Sequence, residues 1–220
     1  VVKRSVKGHY EALEVKSAET DLFSYTILQY LQTQGLDQLA SDITNTTKDQ
    51  IRRYLIQSAE QNLTLPETIV LLRGAGITDY RAELIARTET GRAANIGSMV
   101  GATSTGLVTV KEWIAAKDNR TRRIPRDQFD HYNMDGKKLP MDETFKLQNK
   151  KGGFDLMLHP CDSSGSAGDV CNCRCTLGYE AQRDKNGKLL KLQDNPPKGN
   201  VGMIWGILTN AVGMQIGNLI

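Results

Sequence analysis

The stretch TDYRAELIARTETGRAANIGSMV, residues 78–100, reads as one long helix. Ala82, Ile85, Ala86, Ala93, Ile96 and Val100 recur at intervals of three, four and seven, which lines them along one side of a 3.6-residue turn. Thr78 is of the type that accepts hydrogen bonds from the free N–H groups at a helix start. Glu89 lies four residues after Ile85 and four before Ala93, on the same apolar side. A buried carboxylate is costly unless paired. The helix therefore predicts an ion pair joining Glu89 to Arg87, Arg120 or Arg122. The alternative, a catalytic carboxylate, is the rarer use of such a residue.

Before this helix the pattern is also helical. Leu22, Tyr25, Leu28 and Leu31 recur at helical spacing and Gly35 ends them; Thr46 or Thr47 can start a second helix carrying Ile51, Tyr54, Leu55 and Ala59. Pro66 suits the first turn of a third short helix over residues 67–73, closed by Gly74 and Gly76. After Gly106 the period changes. Residues 107–114 alternate and are rich in Val and Thr, the mark of a strand. Residues 118–151 are polar and broken by Pro125, Asp135-Gly136 and Pro140, so they are expected to be mostly loop. Short strands are expected over 154–158 and 173–179, and Asp184-Lys185-Asn186-Gly187 reads as a hairpin turn into 188–192. Helices first and strands afterwards predict an α+β fold: a helical N-terminal half, a small, mostly antiparallel sheet with long loops, and an apolar C-terminal tail. The expected divisions are a helical arm (1–76), an α+β module (77–194), and a linker with an uncharged tail (195–220).

With 39% hydrophobic and 24% charged residues, the 220-residue chain has the composition of a folded domain, not of a disordered one. Its net charge of +3 excludes a polycation, so any nucleic-acid contact must come from a local patch. Residues 1–16 hold Lys and Arg but no continuous apolar run, so no secretory leader is expected there. Residues 201–220 carry no charge and are long enough for a membrane span. Their glycines, with Asn210, Gln215 and Asn218, make a docked or partner-bound tail the better expectation, and membrane association an unlikely one.

Three further segments carry chemistry. Lys117, Arg120, Arg122, Arg123 and Arg126 cluster in the polar loop. They can face solvent, partner buried acids, or meet phosphates in a salt-sensitive way, with Lys117, Arg122, Arg123 and Arg126 as the candidate nucleic-acid contacts. No aromatic residues interleave with them to stack bases. His131 precedes the turn Met134-Asp135-Gly136. Finally, the cysteines occupy positions 161, 171, 173 and 175 and occur nowhere else. Such clustering suits metal ligation or reduced thiols better than a disulfide framework. Alternate residues on a strand share a face, so Cys171, Cys173 and Cys175, with Cys161 and His131, are candidate ligands of a structural zinc. The competing reading is a set of small buried thiols.

Taken in order, these segments resemble the phage Mu F-like head-morphogenesis family of minor head proteins. The family pattern runs Ala-Arg-Thr-Glu, Arg-Thr-Arg, His-x-x-Leu-Asp-Gly, Pro-Gly-Asp and Asn-Cys-Arg-Cys. Here it appears as Ala86-Arg87-Thr88-Glu89, Arg120-Thr121-Arg122, His131 with Met134-Asp135-Gly136, Pro160-Cys161-Asp162 and Asn172-Cys173-Arg174-Cys175. Met134 stands where Leu is usual, Cys161 replaces the Gly, Cys171 precedes the Asn, and extra residues separate Arg122 from His131. The resemblance implies a low-copy structural component of a tailed-phage capsid interior, assembled in the host cytoplasm, with portal or major capsid protein as partner. It implies no enzyme. Two other functions stay open on the residues: a module organising packaged DNA near the portal, and a zinc-dependent nuclease or hydrolase using Glu89 or His131 as base.

Overall fold

A computed structural model describes residues 27–28, 30–32 and 45–192. The segment 1–26 and the uncharged tail lie outside the described residues. Three helices come first: α1 (Asn45–Glu60), α2 (Leu65–Arg73) and α3 (Asp79–Ser104). Five strands follow: β1 (Thr109–Ile114), β2 (Lys138–Pro140), β3 (Phe145–Gln148), β4 (Phe154–Met157) and β5 (Thr176–Ala181). A 3-10 turn at Tyr132–Met134 and a one-turn helix, α4 (Ala167–Val170), interrupt the loops. The fold is α+β, with helices preceding small antiparallel sheets.

Local chemistry sets the helix boundaries. Thr64 and Glu67 form a reciprocal capping box around Pro66 at the start of α2. Thr78 Oγ1 accepts from the Arg81 backbone N–H at the start of α3. The chain leaves α3 at Gly106, whose φ of +67° is the left-handed conformation that glycine adopts without steric cost.

Helix α3 belongs to two cores. Its first half joins Tyr30, Leu31, Ile51, Leu55 and Leu72 through Ala82, Ile85, Ala86 and Ala93. Its second half places Met99, Val100 and Ala102 against Trp113, Phe145, Leu147, Met157 and Leu177. Ile96 touches both clusters. One sheet runs β2-β1-β5, all antiparallel, with Thr109 opposite Ala181 and Ile114 opposite Thr176; β3 and β4 form a separate hairpin.

Residues 118–151 are mostly turn and loop, as expected, but Leu139, Phe145 and Leu147 bring two short strands within them, β2 and β3, onto the core despite a polar local composition. Residues 188–192 return after the expected turn but make only isolated bridges, Leu189 with Arg183 and Lys191 with Leu107. Too few apolar residues remain there to cover a further strand.

The inward face of β1 carries Thr109, Lys111 and Trp113, and Lys111 is fully buried. Its Nζ donates to the carbonyls of Met141 and Leu158, each at 3.0 Å, and lies 5.4 Å from the centre of the Phe145 ring. A neutral amine has two N–H donors, and two carbonyls receive them. Burial pushes the Lys111 pKa down to about 7, against weaker opposing pulls from Asp142, Asp162 and Glu143. In the unfolded chain the amine stays protonated to about 10.4. Between these values the unfolded state holds the extra proton, so rising pH favours folding. The stability of the wild type relative to Lys111→Met should therefore climb from pH 7 to pH 10 in urea unfolding. A constant difference across that window would contradict a depressed lysine.

Candidate functional site

The buried polar side chains of α3 build the site from below. Glu89 and Arg92 are 0% and 2% exposed, and Arg92 Nη1 lies 2.8 Å from Glu89 Oε1. Tyr30 Oη donates to Glu89 Oε2 at 3.0 Å and accepts from Arg92 Nη1 at 3.1 Å. Burial, aided by the Glu89 charge, pushes the Tyr30 phenol up, so it remains a donor. Arg92 Nε then reaches across to the Cys161 carbonyl at 2.6 Å. One turn further on, the Asn95 amide nitrogen donates to the Gly91 and Pro160 carbonyls, while its oxygen accepts from the Leu177 N–H at 3.1 Å. A single helix face thereby grips both the 158–162 loop and the start of β5.

The expected partners of Glu89 are therefore corrected. Arg87 pairs with Glu83 at 2.7 Å, Arg122 donates to the Cys171 carbonyl, and the Arg120 side chain is exposed. Arg92 reaches Glu89 instead because it sits three residues along the same helix, where side chains meet without crossing a loop.

The separated motifs do converge. Thr88 Oγ1 accepts from the Asn172 N–H at 2.8 Å. The Arg122 carbonyl accepts from the backbone N–H groups of His131 and Tyr132. Arg174 forms a two-pronged ion pair with Asp118, whose other contacts include Thr121. Asp135 accepts from the Ala115 N–H and pairs with Lys117, closing the end of β1. Asp162 accepts from the Leu158 and Ser164 N–H groups. Cys161 holds a φ of +65° and Asn172 one of +61°. Asn enters this left-handed region more readily than most residues, and Gly enters it freely.

At the centre stand His131, Cys173 and Cys175, all buried, with one ligand atom of each within 4.8 Å of the others. His131 Nδ1 is 3.4 Å from Cys173 Sγ and 3.5 Å from Cys175 Sγ. Its Nε2 meets the carboxylate of Asp169, itself buried on α4. Burial alone would lower the His131 pKa, but the hydrogen bonds to Asp169 and Cys173 outweigh it and lift the value to about 9. Cys173 is the thiol pushed down, by hydrogen bonds from Cys161 and Cys175 and by His131, while Cys161 and Cys175 are pushed up.

The other two thiols fall outside this mutually close set, although Cys161 hydrogen-bonds to Cys173. Cys171 and Cys173 do not share a strand face, because β5 begins only at Thr176 and the left-handed turn at Asn172 breaks the alternation. Cys161 Sγ faces the Cys173 carbonyl at 3.8 Å and packs towards Gly91 on α3, where a Cβ would come within 3.3 Å of it. His159 is also separate: it is held neutral by burial, and its Nδ1–H donates to the Pro160 carbonyl. Tyr30, Arg92, Asn95 and Asp169 were not anticipated. Spacing from Glu89 along α3 could have found Arg92, whereas Asp169 lies in a Ser/Gly-rich stretch that gives no signal.

The candidate phosphate contacts are largely engaged locally. Lys117 pairs with Asp135 and lies over the Tyr132 ring; Arg123 lies over the same ring; Arg126 binds Asp127 and the carbonyls of Asn119 and Thr121. The cluster opens on a narrow cleft, whose wall His131, Cys173 and Cys175 share with Arg120, Arg122 and Arg174. Among the described residues, no helix is long and apolar enough to cross a membrane.

The family model described as Phage Mu protein F like protein matches residues 35–178, from before α1 into β5. Minor head protein GP7 of Bacillus phage SPP1 is 37% identical over 102 residues. That alignment covers 45% of this chain and 29% of the relative, so the chain spans under a third of that protein's length. No solved structure matches.

Asn95→Ala should expose the importance of the α3 grip. It strands the Leu177 N–H inside the protein, a loss of about 1–3 kcal/mol, and takes one of two donors from the Pro160 carbonyl, which keeps His159 Nδ1–H. Urea unfolding should report a stability loss of roughly 2–4 kcal/mol; a loss of only a few tenths would mean that the loop is held elsewhere.

Proposed function

The chain belongs to the Phage Mu protein F like family, and we propose that it serves as a minor head protein of a tailed bacteriophage. Its role in this reading is structural: a low-copy capsid component, assembled in the host cytoplasm and retained inside the virion. Portal or major capsid protein is the proposed partner, contacted through the helical arm (1–76) and the linker with its uncharged tail (195–220), with residues 77–194 as the α+β module between them.

The observation that supports this best is the use to which the family's motif residues are put. Thr88, Glu89, Arg122, His131, Asp135, Asp162, Asn172 and Arg174 all bind other parts of the same chain. Residues selected for catalysis face a substrate. Here the polar groups face one another, and Cys173 is 3% exposed. The His131–Cys173–Cys175 cluster is accordingly read as a structural centre, one suited to zinc. The zinc-hydrolase reading would need a substrate-sized cleft at the cluster, and the cleft there is narrow. The DNA-organising reading is weakened because Lys117, Arg123 and Arg126 are engaged by residues of 117–135 and Arg122 donates to the Cys171 carbonyl.

Quantitative mass spectrometry of purified virions from the encoding phage tests the assignment. The chain should be present well below the abundance of the major capsid protein and should resist removal by external protease. Its absence from particles, with ample free protein in the lysate, would contradict a head role.

A further inference from the structure

We infer that His131, Cys173 and Cys175 bind one zinc-type divalent cation, with Asp169 orienting the imidazole from behind and Cys161 and Cys171 outside the coordination sphere. The inference rests on the reading of this cluster as a structural centre. Its test is independent of whether the chain enters a capsid.

The distances are those that zinc requires. Zn–N bonds of about 2.0–2.1 Å and Zn–S bonds of about 2.3 Å, opened at a tetrahedral angle, separate nitrogen from sulfur by roughly 3.5 Å. His131 Nδ1 stands 3.4 Å and 3.5 Å from the two sulfurs. The second observation is the direction of the imidazole. Its Nε2 is engaged by the Asp169 carboxylate, which fixes that nitrogen as the N–H donor and leaves the Nδ1 lone pair facing the sulfurs. A carboxylate behind a ligating histidine is the usual way of holding the metal-binding tautomer. Thirdly, two soft thiolates and an imidazole select zinc over magnesium or calcium, which prefer oxygen.

The remaining thiols are excluded by where they sit. Cys161 neighbours Cys173 from the α3 side but its sulfur falls outside the set of atoms lying within 4.8 Å of one another, and Cys171 precedes the left-handed turn at Asn172. Three protein ligands leave a fourth position towards the narrow cleft, which receives a water. On binding, the His131 Nδ1 proton and whatever protons the two thiols still hold pass to solvent, and the cation takes up the charge of the two thiolates. The cation would join the 171–175 segment to the 3-10 turn after His131, two pieces of chain also linked through Arg122, whose guanidinium donates to the Cys171 carbonyl and whose carbonyl accepts from the His131 and Tyr132 N–H groups.

One competing chemistry uses the same atoms. Cys173, His131 and Asp169 also form a thiol–imidazole–carboxylate line of the kind that activates a nucleophilic cysteine. Its sulfur is buried, and the cleft it lines is narrow. The test below separates the two.

The full chain, expressed with zinc in the medium and purified without chelator or histidine tag, should hold one zinc per chain by plasma mass spectrometry. X-ray absorption should show a first shell of two sulfurs and two nitrogen or oxygen atoms. His131→Ala, Cys173→Ser and Cys175→Ser should lose the metal, whereas Cys161→Ser and Cys171→Ser should keep it. Asp169→Asn should keep the stoichiometry but lose affinity about ten- to a hundredfold in chelator competition. Should the ligand variants fail to fold, cobalt titration of the metal-stripped wild type decides instead, through the near-ultraviolet thiolate-to-cobalt band. Metal at background level without that band would overturn the site, and rapid alkylation of Cys173 alone would favour the nucleophile. Loss of metal in Cys161→Ser as complete as in Cys173→Ser would overturn the three-ligand assignment.

Discussion

The Glu89–Arg92 ion pair is the constraint around which this structure is arranged. Two charges on one helix face are almost wholly removed from water, a placement that costs several kcal/mol for each ion before any compensation. The compensation has to come from geometry. Tyr30 supplies a phenol that donates to the acid and accepts from the base, and the Cys161 carbonyl takes the guanidinium Nε–H. These contacts oblige the helical core, α3 and the 158–162 loop to adopt one mutual arrangement. Asn95 extends the same logic to β5. With the loop and β5 so positioned, Cys173 and Cys175 are presented to His131 from one side and Asp169 from the other.

Hydrophobic burial alone would specify this arrangement poorly. The chain is thin in aromatic residues, and its two clusters meet at Ile96 along a single helix. Many packings of small apolar side chains have similar free energy. A buried polar network is less tolerant, because each misplacement leaves a donor or a charge without a partner. Lys111 acts in the same way at the other end of the sheet core, joining β1 to the carbonyls of Met141 and Leu158. Specificity in this module therefore comes from hydrogen-bonding groups placed inside it.

Much of the fold was legible in the sequence. The 3.6-residue period marked α3, Thr78 marked its start, and Pro66 marked the first turn of α2, because these signals are local. The strands β2 and β3 were hidden by a polar surrounding, since only Leu139, Phe145 and Leu147 face inward there. Of the site, His131, Cys173 and Cys175 were visible as a set, and the structure brings them together. Cys161 and Cys171 could not be separated from that set by spacing. Their exclusion depends on two left-handed residues, Cys161 and Asn172, whose φ values no periodicity reveals. The apolar periodicity marks Glu89 as needing a cation but does not choose among Arg87, Arg120, Arg122 and the helix's own Arg92. In the folded protein Arg92 serves both ends, meeting Glu89 on its own helix and the loop through a carbonyl.

The central claim is that this buried pair holds the module together and takes no part in a reaction. A double-mutant cycle in equilibrium unfolding, with Glu89→Gln, Arg92→Met and the combined variant, measures it most directly. Breaking one partner of a buried pair typically costs about 3–5 kcal/mol, so each single change should be severe. The double variant should be far less destabilised than the sum of the two, giving a coupling of at least ~2 kcal/mol. Additive, small effects would contradict the account, and the module would then owe its arrangement to apolar packing.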